Sequence, residues 1–498
     1  MKPSDMTSIA GPVGIVAVAA IVAGAVPMTR AAAQEPTAAT YQVQLMGGVA
    51  RRFAVRATLP SNGDRLDMAK SRPGDVPELA DAGWPALVQH LAVNDSGGHA
   101  VAVIEDGAGG WRLERNVSGP LIVRYEVDLA PLAERKWPAP REAAFADPRH
   151  LIVIGRSLFI TTPAQRRSTV GFRMPSGWQV AAPWPAVPGV RSSAAVASTS
   201  DLTENLVAFT RGAPDVMTAG GFNLKVVGLA RWQGARGEVR QVLGTALQRL
   251  VAIIGASDHA DYLVVLLPQG ERGGESFRAS FAFTYDSVPS HANRSDWANT
   301  IAHEIFHYWN GWRLRGADYQ GSQWFQEGFT DYIASLALVS GGLISADDFQ
   351  ARLATHVRDA RRLTSPLDAP GTHKGPPLYG AGALVAFIWD TRIREATSGA
   401  RGVGDLLRAL LNDTGNGERP YAWADIEAAL TRLAPGDWAA FQSRFIHGSE
   451  PLPLAETFAS VGLRMAEGAG GAVRLEPDPG ASEQAKALRH VVMRGISL

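Results

Sequence analysis

The chain has 498 residues, 46% hydrophobic and 19% charged, a balance that supports a large buried core and excludes wholesale disorder and a polytopic membrane protein. Its 48 basic residues are matched by 48 acidic ones, so no net charge argues for nucleic acid as a partner. With no cysteine, a disulfide framework, thiolate zinc, iron-sulfur clusters and a cysteine nucleophile are excluded, and any metal must be held by His, Asp or Glu.

At the N-terminus Lys2 precedes an uncharged run from Met6 to Met28, and Ala31-Ala32-Ala33 before Gln34 supplies the small residues of a cleavage site. Residues 1–33 therefore read as a signal peptide directing the chain to the periplasm or outside the cell, after whose removal no stable membrane insertion is expected. A single uncleaved anchor helix is the alternative, because the run is just long enough to cross a bilayer.

Short alternating segments follow: Tyr41–Leu45, Phe53–Leu59 and Leu121–Leu129, then Leu151–Ile154 and Phe222–Leu229, separated by Gly, Pro, Asn and Asp. Each predicts a strand with one buried face. Lys136–Pro140 and Pro183–Pro188 cannot continue a central strand, since proline lacks the amide donor. Residues 34–216 thus read as a β-rich domain. Around Glu238 the period turns helical, then returns to a buried strand at Tyr262–Leu267 and an alternating one through Phe281, Phe283 and Tyr285.

From Ser295, a plausible N-cap, the pattern is helical. Trp297, Ile301, Ile305 and Trp309 recur every four residues as a core-facing stripe, and further helices are predicted at 322–340, 346–361, 378–396, 403–412 and 422–448. Residues 217–450 form the second predicted domain and 451–498 a weaker tail interrupted by Gly and Pro.

The chemistry starts with His303-Glu304-Ile305-Phe306-His307, whose imidazoles at i and i+4 share one helix face, a spacing suited to one zinc ion. The next amphipathic segment, Trp324-Phe-Gln-Glu327-Gly-Phe-Thr-Asp331-Tyr, offers Glu327 as third ligand. Two His and one Glu leave a fourth tetrahedral position open, as in a catalytic rather than a closed structural site. Glu304 then stands as general base, and Asp331, one turn past Glu327, can accept a hydrogen bond from the non-coordinating nitrogen of His303 or His307. The remaining histidines, His90, His99, His150, His259, His291, His356, His373, His447 and His490, show no ligand-like spacing and read as structural or surface residues. His373, in the loop before Tyr379, is the one near enough in sequence to reach the cleft.

The segments His303–Arg315 and Trp324–Ala334 resemble the glycyl aminopeptidase family of thermolysin-like zinc peptidases, whose third ligand is a glutamate. Asp201-Leu-Thr-Glu-Asn205, Gly273-Gly-Glu275, Tyr379-Gly-Ala-Gly382 and Trp389-Asp-Thr-Arg-Ile-Arg394 fall in the family's order. The resemblance implies an α+β multidomain fold: a β-rich N-terminal domain, then a thermolysin-like catalytic domain with a small sheet and a helical lobe. It also implies one zinc per chain and removal of N-terminal Gly or Ala from peptides with a free amine. By the same resemblance Glu275, approached through Gly273 and Gly274, is the candidate amine anchor, and Tyr379 the candidate oxyanion donor. Three departures stand beside it. Nineteen residues separate His307 from Glu327, one more than is usual; the family's PDZ-like C-terminal module has no counterpart in 451–498; and the Gly273 segment is short and lacks its histidine. A metallo-endopeptidase and a zinc-containing binding protein without turnover stay open as alternatives.

Overall fold

The computed structural model describes residues 37–494, apart from 48–50, 69–82, 107–108, 131–144, 229–231, 233, 256–260, 268–271, 370–374 and 469–470. The signal-like run, Lys136–Pro140, His259 and His373 lie outside the described residues.

Alternation in the early sequence becomes a seven-stranded sheet built from β1 (Ala38–Leu45), β2 (Arg52–Asp67), β3 (Val88–Asn94), β4 (Val103–Glu105), β5 (Gly110–Asp128), β8 (Arg167–Arg173) and β10 (Ser193–Val196). Tyr41, Val43 and Leu45 point into a core while Gln42 and Gln44 face solvent, the period-2 pattern of a half-buried strand. Four shorter strands, β6 (Phe145–Ala146), β7 (His150–Ile154), β9 (Trp178–Ala181) and β11 (Leu206–Arg211), make a second sheet.

A third sheet starts at Asp215 and runs in spatial order β12 (Asp215–Ala219), β13 (Phe222–Val227), β14 (Asp261–Leu267), β16 (Ser280–Thr284), β15 (Gly273–Phe277). β14 is parallel to both neighbours and is apolar on both faces, as a strand covered on both sides must be. Leu263, Val265 and Leu267 join the core of the N-terminal sheets, while Tyr262, Val264 and Leu266 join the core of the helical lobe. Among the described residues β15 pairs antiparallel with β16 alone and forms the sheet's edge.

Against the sheet packs the helical lobe: after the short α1 (Thr199–Thr203) come α2 (Arg236–Ile254), α3 (Arg294–Phe306), α4 (Phe329–Ser340), α5 (Ala346–Ala360), α6 (Pro376–Ala396), α7 (Val403–Asp413), α8 (Trp423–Leu433) and α9 (Trp438–Phe441). Trp297, Ile301, Ile305 and Trp309 are all buried, as their spacing predicts. Each such side chain contributes roughly 1.5–3 kcal/mol. That is enough to hold a helix which also takes His303 and Glu304 out of water.

Several local expectations change. The helix begins at Arg294 and Ser295 does not cap it; Ser290 and Asn293 bond reciprocally in the turn before it, with Ser290 N donating to Asn293 Oδ1 at 2.8 Å. The predicted helix 422–448 is broken at Pro435-Gly436, because proline removes an amide donor and clashes with the preceding turn. The predicted helix 322–340 opens with a π-helical turn, Trp324–Gly328. The tail carries α10 (Leu454–Ser460), a hairpin of β17 (Leu463–Glu467) and β18 (Val473–Pro477), and α11 (Glu483–Arg494), and it buries Phe458, Leu463 and Val492 in the helical core. Among the described residues no helix is long and apolar enough to cross a membrane.

Candidate metal centre and active site

Because His303 in the last turn of α3 and His307, which caps it in helical conformation, lie one turn apart, their Nε2 atoms stand 3.0 Å from each other, 3.3 and 3.5 Å respectively from Glu327 Oε2. An ion held tetrahedrally at about 2.0–2.1 Å requires ligand atoms roughly 3.3 Å apart. The triangle matches that edge, so these residues fit a single metal ion, and the three form a metal-capable group among the described residues.

The electrostatics point the same way. Burial works against a charge on His303, yet its bonds to Asp331 and Glu327 carry the imidazole pKa up to about 10. Burial likewise opposes the Glu327 carboxylate, and the two histidines hold it far below the ordinary range. A pocket that draws protons onto both imidazoles carries excess negative charge, which a divalent cation satisfies equally well.

Each ligand is oriented from behind. His303 Nδ1 lies 3.5 Å from Asp331 Oδ1, and His307 Nδ1 lies 2.9 Å from the Asn310 carbonyl. Of the two histidines the sequence offered to Asp331, it therefore faces His303. With Nδ1 occupied in this way, both imidazoles would present Nε2 lone pairs to a bound ion. Asp331 is itself held: Asn299 Nδ2 donates to it at 2.5 Å, Arg352 at 3.0 Å, and His356 Nε2 lies 3.2 Å away. Burial raises its pKa, but Arg352 and the histidines win and keep it well below the usual carboxylate range.

Glu327 rides on the π-helical turn, where the extra residue per turn re-aims a side chain that a regular helix would place elsewhere. Two contacts fix that turn. Asn310 Nδ2 reaches the carbonyls of Phe325 and Gln326 at 3.1 and 3.0 Å. On its other side Gly328 meets α6 at Gly382, where a Cβ on Gly382 would sit 2.0 Å from the Trp324 carbonyl. The glycines of the Tyr379–Gly382 segment thus let α6 approach closely enough to bring Tyr379 to the metal site.

Tyr379 stacks on His303 with ring centroids 5.8 Å apart. Burial, then the neighbouring Glu327, push its phenol well above the usual range, so it keeps its proton at neutral pH and can donate. Glu304 is buried beside the ligands, and β15 runs so close that a Cβ on Gly274 would stand 2.2 Å from Glu304 Cγ. Glu275, Glu304, Glu327 and Tyr379 line one cavity of about 590 Å³. A second, of about 600 Å³, shares Gly274, His303, Glu304 and Tyr379 and continues past Gly273 and Arg352. All nine residues singled out from the sequence thus border this cleft or support it.

Sequence reasoning missed Asn299, Asn310, Arg352 and His356. Asn299 was within reach, four residues before His303 on the same helix face. Arg352 and His356 share a face of α5, which nothing in the sequence ties to the metal, and His356 is buried and held neutral at low pH, its pKa down to about 4 mainly through desolvation.

The M61 glycyl aminopeptidase model matches residues 296–366, and the model of the M61 N-terminal domain matches 40–202. Residues 40–202 and 296–366 thus carry M61 glycyl aminopeptidase family domains. The chain is therefore a peptidase of the aminopeptidase kind. No curated protein sequence matches it. Among solved structures it is similar to an aminopeptidase N family protein from Idiomarina loihiensis, with a TM-score of 0.69 at 17% identity over 90% of this chain and 82% of that one. It is also similar to an M1 zinc metallopeptidase from Deinococcus radiodurans, with a TM-score of 0.53 at 17% identity over 84% of this chain and 94% of that one. A mutant of that enzyme bound to a Tyr-Ser-Ala substrate gives the same TM-score over 83% and 94%. The shared fold is the expected one: a β-rich N-terminal region followed by a helical lobe.

Proposed function

We propose that this chain is a zinc aminopeptidase that releases small N-terminal residues, Gly or Ala, from peptides. The observation that carries the reading is the ligand triangle with Glu304, Tyr379 and Glu275 around one cavity. His303, His307 and Glu327 would hold the zinc, and the chemistry it would supply when bound is polarisation of the scissile carbonyl and activation of water. Glu304 takes a proton from the attacking water and hands it to the leaving amine. Tyr379 donates its hydroxyl to the oxygen that gains charge in the tetrahedral state, a contact stronger there than with the ground-state carbonyl. The substrate lies along the edge strand β15, with Glu275 pairing with its α-ammonium. The preference for Gly rests on the family's description, and its extension to Ala on the resemblance of the sequence alone. Export through residues 1–33 rests on the sequence alone.

Two substitutions probe these roles. Tyr379→Phe keeps the ring and removes one oxygen, so kcat falls roughly 10²- to 10³-fold with KM nearly constant. A variant with full kcat and a lower melting temperature makes Tyr379 a packing residue. Glu275→Ala loses a charge-assisted contact worth about 1.5–3 kcal/mol, so kcat/KM on amino acid p-nitroanilides falls at least about tenfold.

One observation favours a second reading. The second cavity shares Glu304 with the first, so the cleft continues beyond the cavity that holds Glu275, as an endopeptidase requires. If the wild type cleaves N-acetylated peptides as fast as free ones and Glu275→Ala changes neither rate, that reading replaces the first.

A further inference from the structure

The Asp201-Leu-Thr-Glu-Asn205 segment stands far in sequence from the metal, yet its polar groups converge on one place, the two-residue turn Arg278-Ala279 and the strand start Ser280 that join β15 to β16. Asn205 Oδ1 accepts from the Ala279 amide at 2.7 Å and from the Ser280 hydroxyl at 3.1 Å, and Ser280 Oγ accepts in turn from the Leu206 amide at 3.0 Å. The Glu204 carbonyl accepts from the Arg278 amide at 3.0 Å, and Asp201 Oδ1 accepts from Arg278 Nε at 2.9 Å. Asn205 and Ser280 are buried, so these bonds act away from water.

The segment is itself anchored. Ser198 caps α1 by accepting from the Asp201 amide at 3.0 Å, and Gly155, at the end of β7, meets the Leu202 carbonyl so closely that a Cβ there would lie 1.9 Å from it. The Glu204 carboxylate accepts from Arg156 Nε at 2.7 Å, and Arg156 lines the same cavity as Glu275.

We infer that Asp201–Asn205 is a clasp by which the N-terminal sheets position the substrate-binding strand, an inference that rests on Glu275 as amine anchor. Among the described strands β15 pairs with β16 at the sheet's edge, so the turn that joins the two bears on its tilt. Glu275 lies three residues before Arg278, roughly 10 Å along the strand. A tilt of about 10° at the turn therefore moves Glu275 by about 1.7 Å. Misplacement on the order of 1 Å is costly to a charge-assisted contact that depends on orientation. The turn is restrained from one side by the clasp and the strand from the other by the contact of Gly274 with Glu304. Asn205, Asp201 and Arg278 are thus positioning residues that act through Glu275.

The test measures, by calorimetry on zinc-loaded full-length protein, the dissociation constants of alanine hydroxamate and N-acetylalanine hydroxamate, which share a metal-binding group and differ in the free amine. The wild type binds the free amine at least about tenfold more tightly. In Asn205→Ala and Arg278→Leu this preference falls to about threefold or less, while affinity for the acetylated compound changes less than twofold; Arg278→Lys restores most of it. Arg278 is about one-third exposed, so its variants keep the fold even where Asn205→Ala does not. A full preference in the clasp variants alongside its loss in Glu275→Ala overturns the clasp and leaves the amine anchor standing. A full preference in Glu275→Ala overturns the anchor and with it the clasp. Equal weakening of both ligands marks a general structural role and also overturns the inference.

Discussion

Replacing Glu304 with Gln leaves zinc at one equivalent per chain and lowers kcat by roughly 10²- to 10⁴-fold, the loss expected when a general base is removed. The substitution is nearly isosteric. This matters because Gly274 of β15 leaves no slack against the Glu304 side chain, and a larger residue would displace the strand and confound the measurement. The carboxamide fills the same space, cannot accept the proton of the attacking water, and leaves His303 and His307 undisturbed. KM changes little, because the proton transfer occurs only on the way to the transition state. Metal content and turnover are read on the same sample. Near wild-type kcat in zinc-loaded protein refutes the assignment.

Removal of a ligand acts on metal and stability together. His307→Ala and Glu327→Ala are expected to retain less than about a tenth of an equivalent of zinc after desalting, a greater loss than the roughly 10- to 100-fold weakening that follows removal of a hydrogen-bond partner such as Asp331. Activity disappears in parallel and returns in the wild type, not in the variants, when zinc is added after chelation. Because the ion binds the folded state and not the unfolded chain, chelation also lowers the melting temperature of the wild type, by an amount that grows with the zinc concentration before chelator is added. The ligand variants show no such shift. Full zinc in the triple alanine variant of His303, His307 and Glu327 places the metal elsewhere.

What was legible in the chain is what local periodicity encodes. The i, i+4 pair His303 and His307, the stripe of Trp297, Ile301 and Ile305, and the alternation of Tyr41–Leu45 depend only on the helix and strand repeats, which any observer of the sequence can apply. The continuous apolar run of β14 signalled a buried strand, although not which cores would cover it. Glu327 and Asp331 were legible because they too are one turn apart on the segment that follows, and the family resemblance added Glu275 and Tyr379.

Tertiary structure alone decided how these pieces meet. The helix predicted over 322–340 starts as a π-helical turn, an adjustment set by Asn310 and by the contact of Gly328 with Gly382, residues distant in sequence whose mutual approach has no local signal. Asp331 was offered to either histidine, and the choice of His303 followed from the packing of α3 against α4, which also put Asn310 rather than a carboxylate behind His307. Arg352 and His356 reach Asp331 from α5, and Asn205 reaches the turn at Ala279 from the N-terminal sheets. Hydrogen bonds and close contacts between segments far apart in the chain depend on the relative placement of whole elements, and that placement is set by the burial of both faces of the central sheet rather than by any spacing written along the sequence.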